Sequence, residues 1–188
     1  NNDKFKFNTK INLKNSKLLI NFLDYEKKEN SDASVSIKGS FKKNNSIKFD
    51  LISLIEENNK ILFKKLNLDR DFKVISMDSF SFDYLNNKKI KNALSLKKNN
   101  KDYIIEGKSL DATNLINKIM DDKNENPSFF SNFNSKIDVK INKTFIDEYN
   151  YINNLSGSLN FKNNEINELN LRSIFPNNKK ISLSIKTN

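Results

Sequence analysis

Apolar and polar residues alternate along most of this chain, in short runs separated by clusters of Asn and Lys. Alternation with a period of two is typical of antiparallel strands that have one face in water. The pattern predicts a mainly β fold, namely a curved antiparallel β-sheet or meander that forms either an open groove or a sandwich. The runs before the single break in the pattern fall at residues 5–13, 18–22, 35–41, 49–53, 61–68, 74–84, 90–96 and 103–106.

The breaks between these runs are rich in Asn, which tolerates the left-handed backbone conformation that tight hairpin turns require. Gly39, Gly107 and Gly157 are the only glycines. Because strand glycines usually mark bulges or bends, we interpret them as positions where the sheet curves. We predict a single β-rich segment of a longer protein, with a hairpin meander over residues 1–100 and a strand, a helix and a second meander over residues 101–188.

One segment departs from the period of two. Its apolar residues recur at helical spacing, and Asp111 stands where an N-cap is expected. Polar residues at 121–126 and then Pro127 end the pattern. We therefore predict one short amphipathic α-helix around residues 111–122. The side chains expected to plug or cap the sheet are Leu115, Ile116, Ile119 and Met120.

Alternation resumes after the helix, with a long strand over residues 133–141, a loop over residues 143–153 and three further strands. One face of these strands is apolar, and we predict that it either lines a groove or packs as a core. The candidate residues on this face are Phe133, Ile137, Val139, Ile141, Leu159, Phe161, Leu183 and Ile185.

The composition is strongly skewed, because Lys and Asn are abundant whereas Arg70 and Arg172 are the only arginines. The residues in excess, Lys, Asn, Ile and Phe, are those that AT-rich codons specify, so an AT-rich bacterial genome accounts for the skew. This explanation weakens the inference from the net charge of +10 to a polyanionic partner. Arg forks favour phosphate and base recognition, so their scarcity also argues against nucleic acid as a partner.

The chain contains no His and no Cys, and therefore no imidazole base, thiol nucleophile, disulfide or soft metal ligand. The remaining candidates are acidic pairs such as Glu56-Glu57 and Asp147-Glu148, which fall in turns, where solvated charges are common. Neither a Gly-rich phosphate loop nor a serine elbow is present. We predict that the chain is not an enzyme and needs no cofactor or metal.

Two short steps in the second half of the chain resemble a known family. A strand runs into EGKSLDA at residues 106–112 and opens the helix, and a later strand carries LSGSL at residues 155–159 into hairpins. A Gly-x-x-Leu-Asp step before a helix and a later Leu-x-Gly-x-Leu step are features of the AsmA-like envelope proteins, particularly the branch with a domain of the DUF3971 type. The chain resembles this family over residues 100–188 and matches it in style over the preceding residues.

The resemblance implies a non-enzymatic segment of an inner-membrane-anchored periplasmic protein that transports phospholipid between the inner and outer membranes and maintains the envelope. The partners would be phospholipid acyl chains, held in a hydrophobic groove, and neighbouring β-segments of the same chain. No apolar run in this segment is long enough to cross a bilayer, so the anchor is expected outside it. No individual lipid-contacting residue follows from the motifs.

A physical argument leads to the same groove, because an apolar sheet face without covering helices must be hidden from water. A lipid groove hides such a face, and so does a second sheet packed against it as a sandwich core. The sequence leaves both arrangements open. An alternative function, a surface-exposed β-rich adhesin or structural lipoprotein domain, goes with the second arrangement. Interleaved Lys would then contact polyanions or protect the sheet edges.

Overall fold

The computed structural model of the chain describes residues 4–42, 46–120 and 130–187. Within these residues the protein is mainly β, with one short α-helix and one short 3-10 helix. The elements in chain order are β1 (Lys4–Asn12), β2 (Leu18–Ile20), the 3-10 helix (Asn21–Leu23), β3 (Tyr25–Lys27), β4 (Ala33–Lys42), β5 (Ile47–Glu56), β6 (Asn59–Leu68), β7 (Val74–Ser76), β8 (Ser79–Leu85), β9 (Lys91–Asn99), β10 (Asp102–Asp111), α1 (Thr113–Met120), β11 (Lys136–Phe145), β12 (Tyr151–Lys162), β13 (Glu165–Ile174) and β14 (Lys180–Lys186).

Twelve of the strands form one sheet, and β2 and β3 form a separate two-stranded sheet. The large sheet has the order β1-β4-β5-β6-β8-β9-β10-β11-β12-β13-β14, with β7 paired to the end of β6. Consecutive strands along this path are antiparallel, except that β10 and β11 are parallel. The predicted antiparallel meander is therefore confirmed as the main architecture, with one parallel pair that the sequence did not predict. Parallel neighbours need a crossover, and the connection that contains α1 supplies it.

The strand register gives the large sheet one apolar and one polar face, because directly paired residues share a face and successive residues alternate. A central row takes one residue from each strand along the path. It consists of Thr9, Ile37, Ile52, Phe63, Phe80, Leu96, Ile105, Val139, Gly157, Leu171 and Leu183. The adjacent row on the opposite face consists of Lys10, Ser36, Ser53, Leu62, Ser81, Ser95, Glu106, Lys140, Ser156, Arg172 and Ser182.

The most buried apolar cluster lies at one end of the apolar face, and the segment of residues 13–27, here called the cap, covers it. Its sheet members are Leu54, Ile61, Phe82 and Tyr84, and Tyr25 of β3 contributes the cap side. The sequence predicted residues 18–22 as one more strand of the meander, which is wrong. β2 has three residues and pairs only with β3, so the chain leaves the large sheet here and returns over it as a second layer.

The single α-helix occurs where the sequence predicted it, although residues 121 and 122 of the predicted range lie outside the described residues. The predicted N-cap is wrong by one position, because Asp111 still belongs to β10 and Ala112 precedes the helix. The carboxylate of Asp111 accepts the N–H of Thr113 at 3.0 Å, so it stabilises the first turn from one residue earlier than a standard N-cap. The strand therefore extends into the predicted helix onset.

Candidate functional site: the apolar face of the sheet

The register brings most of the predicted groove residues onto one face. Ile137 pairs with Leu159, and this row continues through Leu169 to Ile185. Val139 and Leu183 belong to the central row, whereas Ile141 pairs with Leu155 in the next row of the same face. Phe161 pairs with Ile166 beyond a bulge. These predicted residues, from β11, β12 and β14, thus form part of one continuous apolar surface.

Phe133 departs from the predicted arrangement, because β11 begins only at Lys136. Phe133 precedes the strand and lies in a buried aromatic cluster. Its ring centroid is 4.5 Å from that of Phe130, 5.2 Å from Phe161 and 5.6 Å from Tyr103. Phe133 is therefore a cover over the apolar face rather than a member of the strand row, and it lies near the start of β10, at the opposite end of the strands from the cap.

The apolar face is buried in its middle and open at its edges. Val139 and Ile141 are 9% and 3% exposed, whereas Leu183 and Ile185 are 50% and 46% exposed. Every residue of β14 is exposed, and at the other edge Phe5 and Ile11 are exposed as well. At β14, the apolar face therefore ends with nothing above it in the described part of the chain.

Of the four residues of the predicted helix plug, the side chains of Leu115 and Ile116 are described. Leu115 is 57% exposed and lines a small cavity beside Phe82 and Tyr84, whereas Ile116 is not among the partly buried residues that pack against the cluster. The side chains of Ile119 and Met120 lie outside the described residues. The cap covers the cluster instead, with Leu13, Leu18, Ile20 and Leu23 against it.

Buried polar groups hold the cap in place. Lys27 is fully buried, and its ammonium donates to the carbonyl oxygens of Leu13, of Lys14 at 2.9 Å and of Ser16 at 2.7 Å. Tyr84 of the sheet donates its hydroxyl to the carbonyl oxygen of Leu23 at 2.5 Å. The bonds of Lys27 hold the cap together, and the bond of Tyr84 attaches it to β8. Breaking them would leave buried polar groups without partners, which costs free energy.

A carboxylate at the end of β5 makes the second anchor of the cap. Glu56 is buried and accepts hydrogen bonds from the hydroxyl of Tyr25, from Ser31 at 2.7 Å and from Asn59 at 3.1 Å. Burial alone would raise the pKa of Glu56, but these hydrogen bonds and the charge of Lys27 outweigh it and hold that pKa below its ordinary value. Burial, with the bond to Glu56, raises the pKa of Tyr25 far above its ordinary value. The pair is therefore an anionic acceptor and a neutral donor at neutral pH.

Two of the concave surfaces of the sheet lie away from the apolar face. Depressions of about 470 and 320 Å³ are on the polar face, the first among residues such as Lys60, Glu106 and Lys140 and the second beside Arg172. Charged walls of this kind suit water or polar ligands better than acyl chains. A smaller cavity of about 200 Å³ lies between the cap, β8 and α1.

The acidic pairs singled out in the sequence have structural contacts. Asp147 accepts the backbone N–H groups of Tyr149 and Asn150, each at 2.8 Å, in the loop between β11 and β12. Glu148 forms a salt bridge with Lys88 at 3.0 Å. Among the described residues, no group of three or more acidic side chains is arranged to hold a metal ion. None of the helices in the described ranges combines the length and apolar character needed to cross a bilayer.

Comparison of the chain with family models, with curated proteins and with solved structures finds no match.

Proposed function

We propose that this chain is a non-enzymatic segment that holds phospholipid acyl chains on the apolar face of its sheet. On this proposal it belongs to the periplasmic part of an inner-membrane-anchored protein that moves phospholipid between the inner and outer membranes. The observation that carries the proposal is the central row, which crosses all strands of the path without a charged side chain and is exposed at its edges.

The absence of a second large sheet favours a groove over a sandwich. Among the described residues, only the small β2–β3 sheet stands outside the large one, and it covers one end of the face. Residues around Phe133 cover the other end. A sandwich would need an apolar layer over the outer strands as well, and β14, every residue of which is exposed, has none in the described chain.

The dimensions of the row suit a path for acyl chains. Neighbouring strands lie about 4.8 Å apart, so a row across the eleven strands of the path is on the order of 48 Å long. The hydrocarbon core of a bilayer is about 30 Å thick, so one leaflet's acyl chains reach about half of that. The row is therefore longer than one acyl chain. Each methylene group removed from water contributes about 0.8 kcal/mol, which is the driving force for such binding.

The proposed location in the envelope rests on the resemblance to the AsmA-like proteins. In the fold, the step at residues 106–112 forms the junction between β10 and α1, and the step at residues 155–159 lies in β12. The two strands are the two neighbours of β11, where Gly107 and Leu155 both pair with Ile141. The two steps are thus parts of one local arrangement in the sheet, a strand, a helix crossover and the hairpin that follows.

Native mass spectrometry with lipid extraction tests the proposal. The chain is purified from bacterial cells in mild detergent and then exchanged out of it, and bound phospholipid is identified. We expect co-purifying phospholipid with the unaltered chain and with Ser182→Asp, which places a charge on the polar face. We expect its loss with Ile185→Asp, which places the same charge on the exposed edge of the apolar face.

Matched far-UV circular dichroism of the two variants establishes that both keep the fold, since both positions are exposed on β14. An unaltered chain that is lipid-free and monodisperse would contradict the proposal. It would mean that protein surfaces cover the apolar face, as in the adhesin or structural lipoprotein alternative.

A further inference from the structure

Within residues 4–42, 46–120 and 130–187, the strand β14 is an edge of the large sheet. It pairs with β13 on one side, and within the described residues no strand pairs with its other side. All seven of its residues are exposed, although Ile181, Leu183 and Ile185 continue the apolar face. A regular, alternating edge strand is a template for the addition of another strand.

The opposite edge of the sheet is built differently. In β1, lysines occupy three of the polar positions, namely Lys4, Lys6 and Lys10. Interleaved Lys is a common device against edge-to-edge pairing. In β14 the polar positions at the centre are Ser182 and Ser184, so Lys is confined to the two ends. Of the two edges, β14 is therefore the one that can accept a neighbour.

A second copy of this chain brings like charges together at the β14 edge in two registers that centre Leu183. Antiparallel pairing of two β14 strands about Leu183 places Lys180 opposite Lys186 of the copy, twice. Antiparallel pairing of β14 with β1, with Leu183 opposite Phe7, places Lys180 opposite Lys10 and Lys186 opposite Lys4. Like charges directly opposite each other on paired strands are destabilising.

We propose that β14 accepts an extended segment of another polypeptide by strand addition, and that this segment carries aliphatic residues in alternation and carboxylates at its ends. The aliphatic residues would extend the row that ends at Leu183. The carboxylates would lie opposite Lys180 and Lys186, six positions apart. Residues 177–187 contain no acidic residue, so the partner has to supply the negative charge. This inference stands independently of lipid binding.

Fluorescence anisotropy with two labelled peptides tests the proposal. The first peptide is Glu-Val-Ser-Val-Ser-Val-Glu, which has the required pattern, and the second replaces both Glu residues by Lys. We expect saturable binding of the Glu peptide at least tenfold tighter than that of the Lys peptide. The double variant Lys180→Glu with Lys186→Glu should reverse this preference.

Variants at the two edges locate the binding. Leu183→Lys should weaken binding of the Glu peptide at least tenfold, because it places a charge in the middle of β14. Ile11→Lys is the matched control, since Ile11 is an exposed apolar residue on β1, and it should leave binding unchanged. Equal binding of both peptides, binding of neither, or equal effects of the two variants would overturn the proposal.

A concentration-dependent dimer in analytical ultracentrifugation that Leu183→Lys abolishes would also overturn it, because that result assigns the edge to a second copy. The outcome is separable from the lipid test, since the charge reversals at Lys180 and Lys186 leave the apolar face unchanged.

Discussion

At the scale of single residues, the most informative side chains are polar and buried. Glu56 and Lys27 are both shielded from solvent at the end of the sheet that the cap covers. Their partners come from the cap, from Ser31 after it and from Asn59 at the start of β6. Each charge is stabilised by several hydrogen bonds, which offset the cost of removing it from water. Loss of either charge should therefore weaken the attachment of the cap.

The contribution of Glu56 should depend on pH. Because its pKa in the folded chain lies below the ordinary value of 4.5, the ionised form stabilises the fold fully above that value. The contribution is lost as pH falls through the folded pKa. We expect Glu56→Gln to lower the free energy of unfolding by about 1–3 kcal/mol at pH 7, and the difference from the unaltered chain to shrink below pH 4.5.

Urea unfolding at pH 7 and at several values below pH 4.5 measures this difference. Glu57→Gln is the control, because Glu57 is an exposed neighbour in the same turn, and it should change stability by less than about 0.5 kcal/mol. A difference between the unaltered chain and Glu56→Gln that stays constant across this range would contradict the assignment.

The buried ammonium of Lys27 should stabilise the cap. Replacing it with Met keeps most of the side-chain volume but leaves the carbonyl oxygens of Leu13, Lys14 and Ser16 without their donor. We expect Lys27→Met to lower the free energy of unfolding by about 2–3 kcal/mol in urea. Lys28→Met, at the exposed next position, should have almost no effect. Equal stability of the two variants would mean that the carbonyl groups need no ammonium.

These residue-scale features could not be read from the sequence. Lys27 is one of many lysines in an AT-biased composition, and no local pattern distinguishes a buried ammonium from an exposed one. The alternation of Tyr25, Glu26 and Lys27 does indicate a strand, but not that this strand leaves the large sheet. Contacts between positions far apart in the chain, such as Tyr25 with Glu56, decide the burial of both groups.

At the scale of elements, the three glycines lie where backbones approach closely. A Cβ at Gly157 would be 1.9 Å from the carbonyl oxygen of Asn170, and Gly157 has a φ of +149°. At Gly107, beside a bulge between β9 and β10, the nearest atom would be the carbonyl oxygen of Ala93 at 3.0 Å. The strand register shifts beside Gly39 and Gly107, as expected where strand glycines mark bulges.

Gly157 and Gly107 should therefore differ in their tolerance of an added methyl group. We expect Gly157→Ala to lower the free energy of unfolding by about 3 kcal/mol, because β13 would have to move away from β12. Gly107→Ala should cost about 1 kcal/mol, since a shift of a few tenths of an ångström relieves the contact. Thermal unfolding of both variants by circular dichroism measures the order. A larger loss for Gly107→Ala would contradict this account of β12.

Strands and the helix could be predicted from periodicity, because burial on one face imposes a period of two or of 3.6 on the sequence itself. The layer to which a strand belongs could not be predicted from periodicity. Residues 18–22 alternate like the other runs, yet they belong to the cap. The sequence predicted a loop at residues 143–153, but in the structure the loop spans only residues 146–150. Where a paired strand ends depends on its partner strand, which the local sequence does not specify.

At the scale of the whole molecule, stability should be distributed unevenly across the sheet. The cap forms a second layer over β5, β6 and β8 of the sheet, and Leu54, Ile61 and Phe82 are buried between the two layers. β14 lies at the edge of a single layer, with every residue exposed. Local opening is cheapest where few apolar contacts are lost, so the edge should open independently of the capped strands.

Hydrogen–deuterium exchange resolved by strand measures this gradient. We expect the slowest amides in β5, β6 and β8, and exchange in β14 faster by roughly 100-fold, which corresponds to about 2.7 kcal/mol of opening free energy. Lys27→Met should accelerate exchange in the capped strands and leave β14 unchanged, because only the capped strands depend on the second layer. Uniform slow exchange from β4 to β14 would contradict the gradient. In that case the apolar face is covered along its whole length in solution, and a groove open to lipid is no longer compatible with the fold.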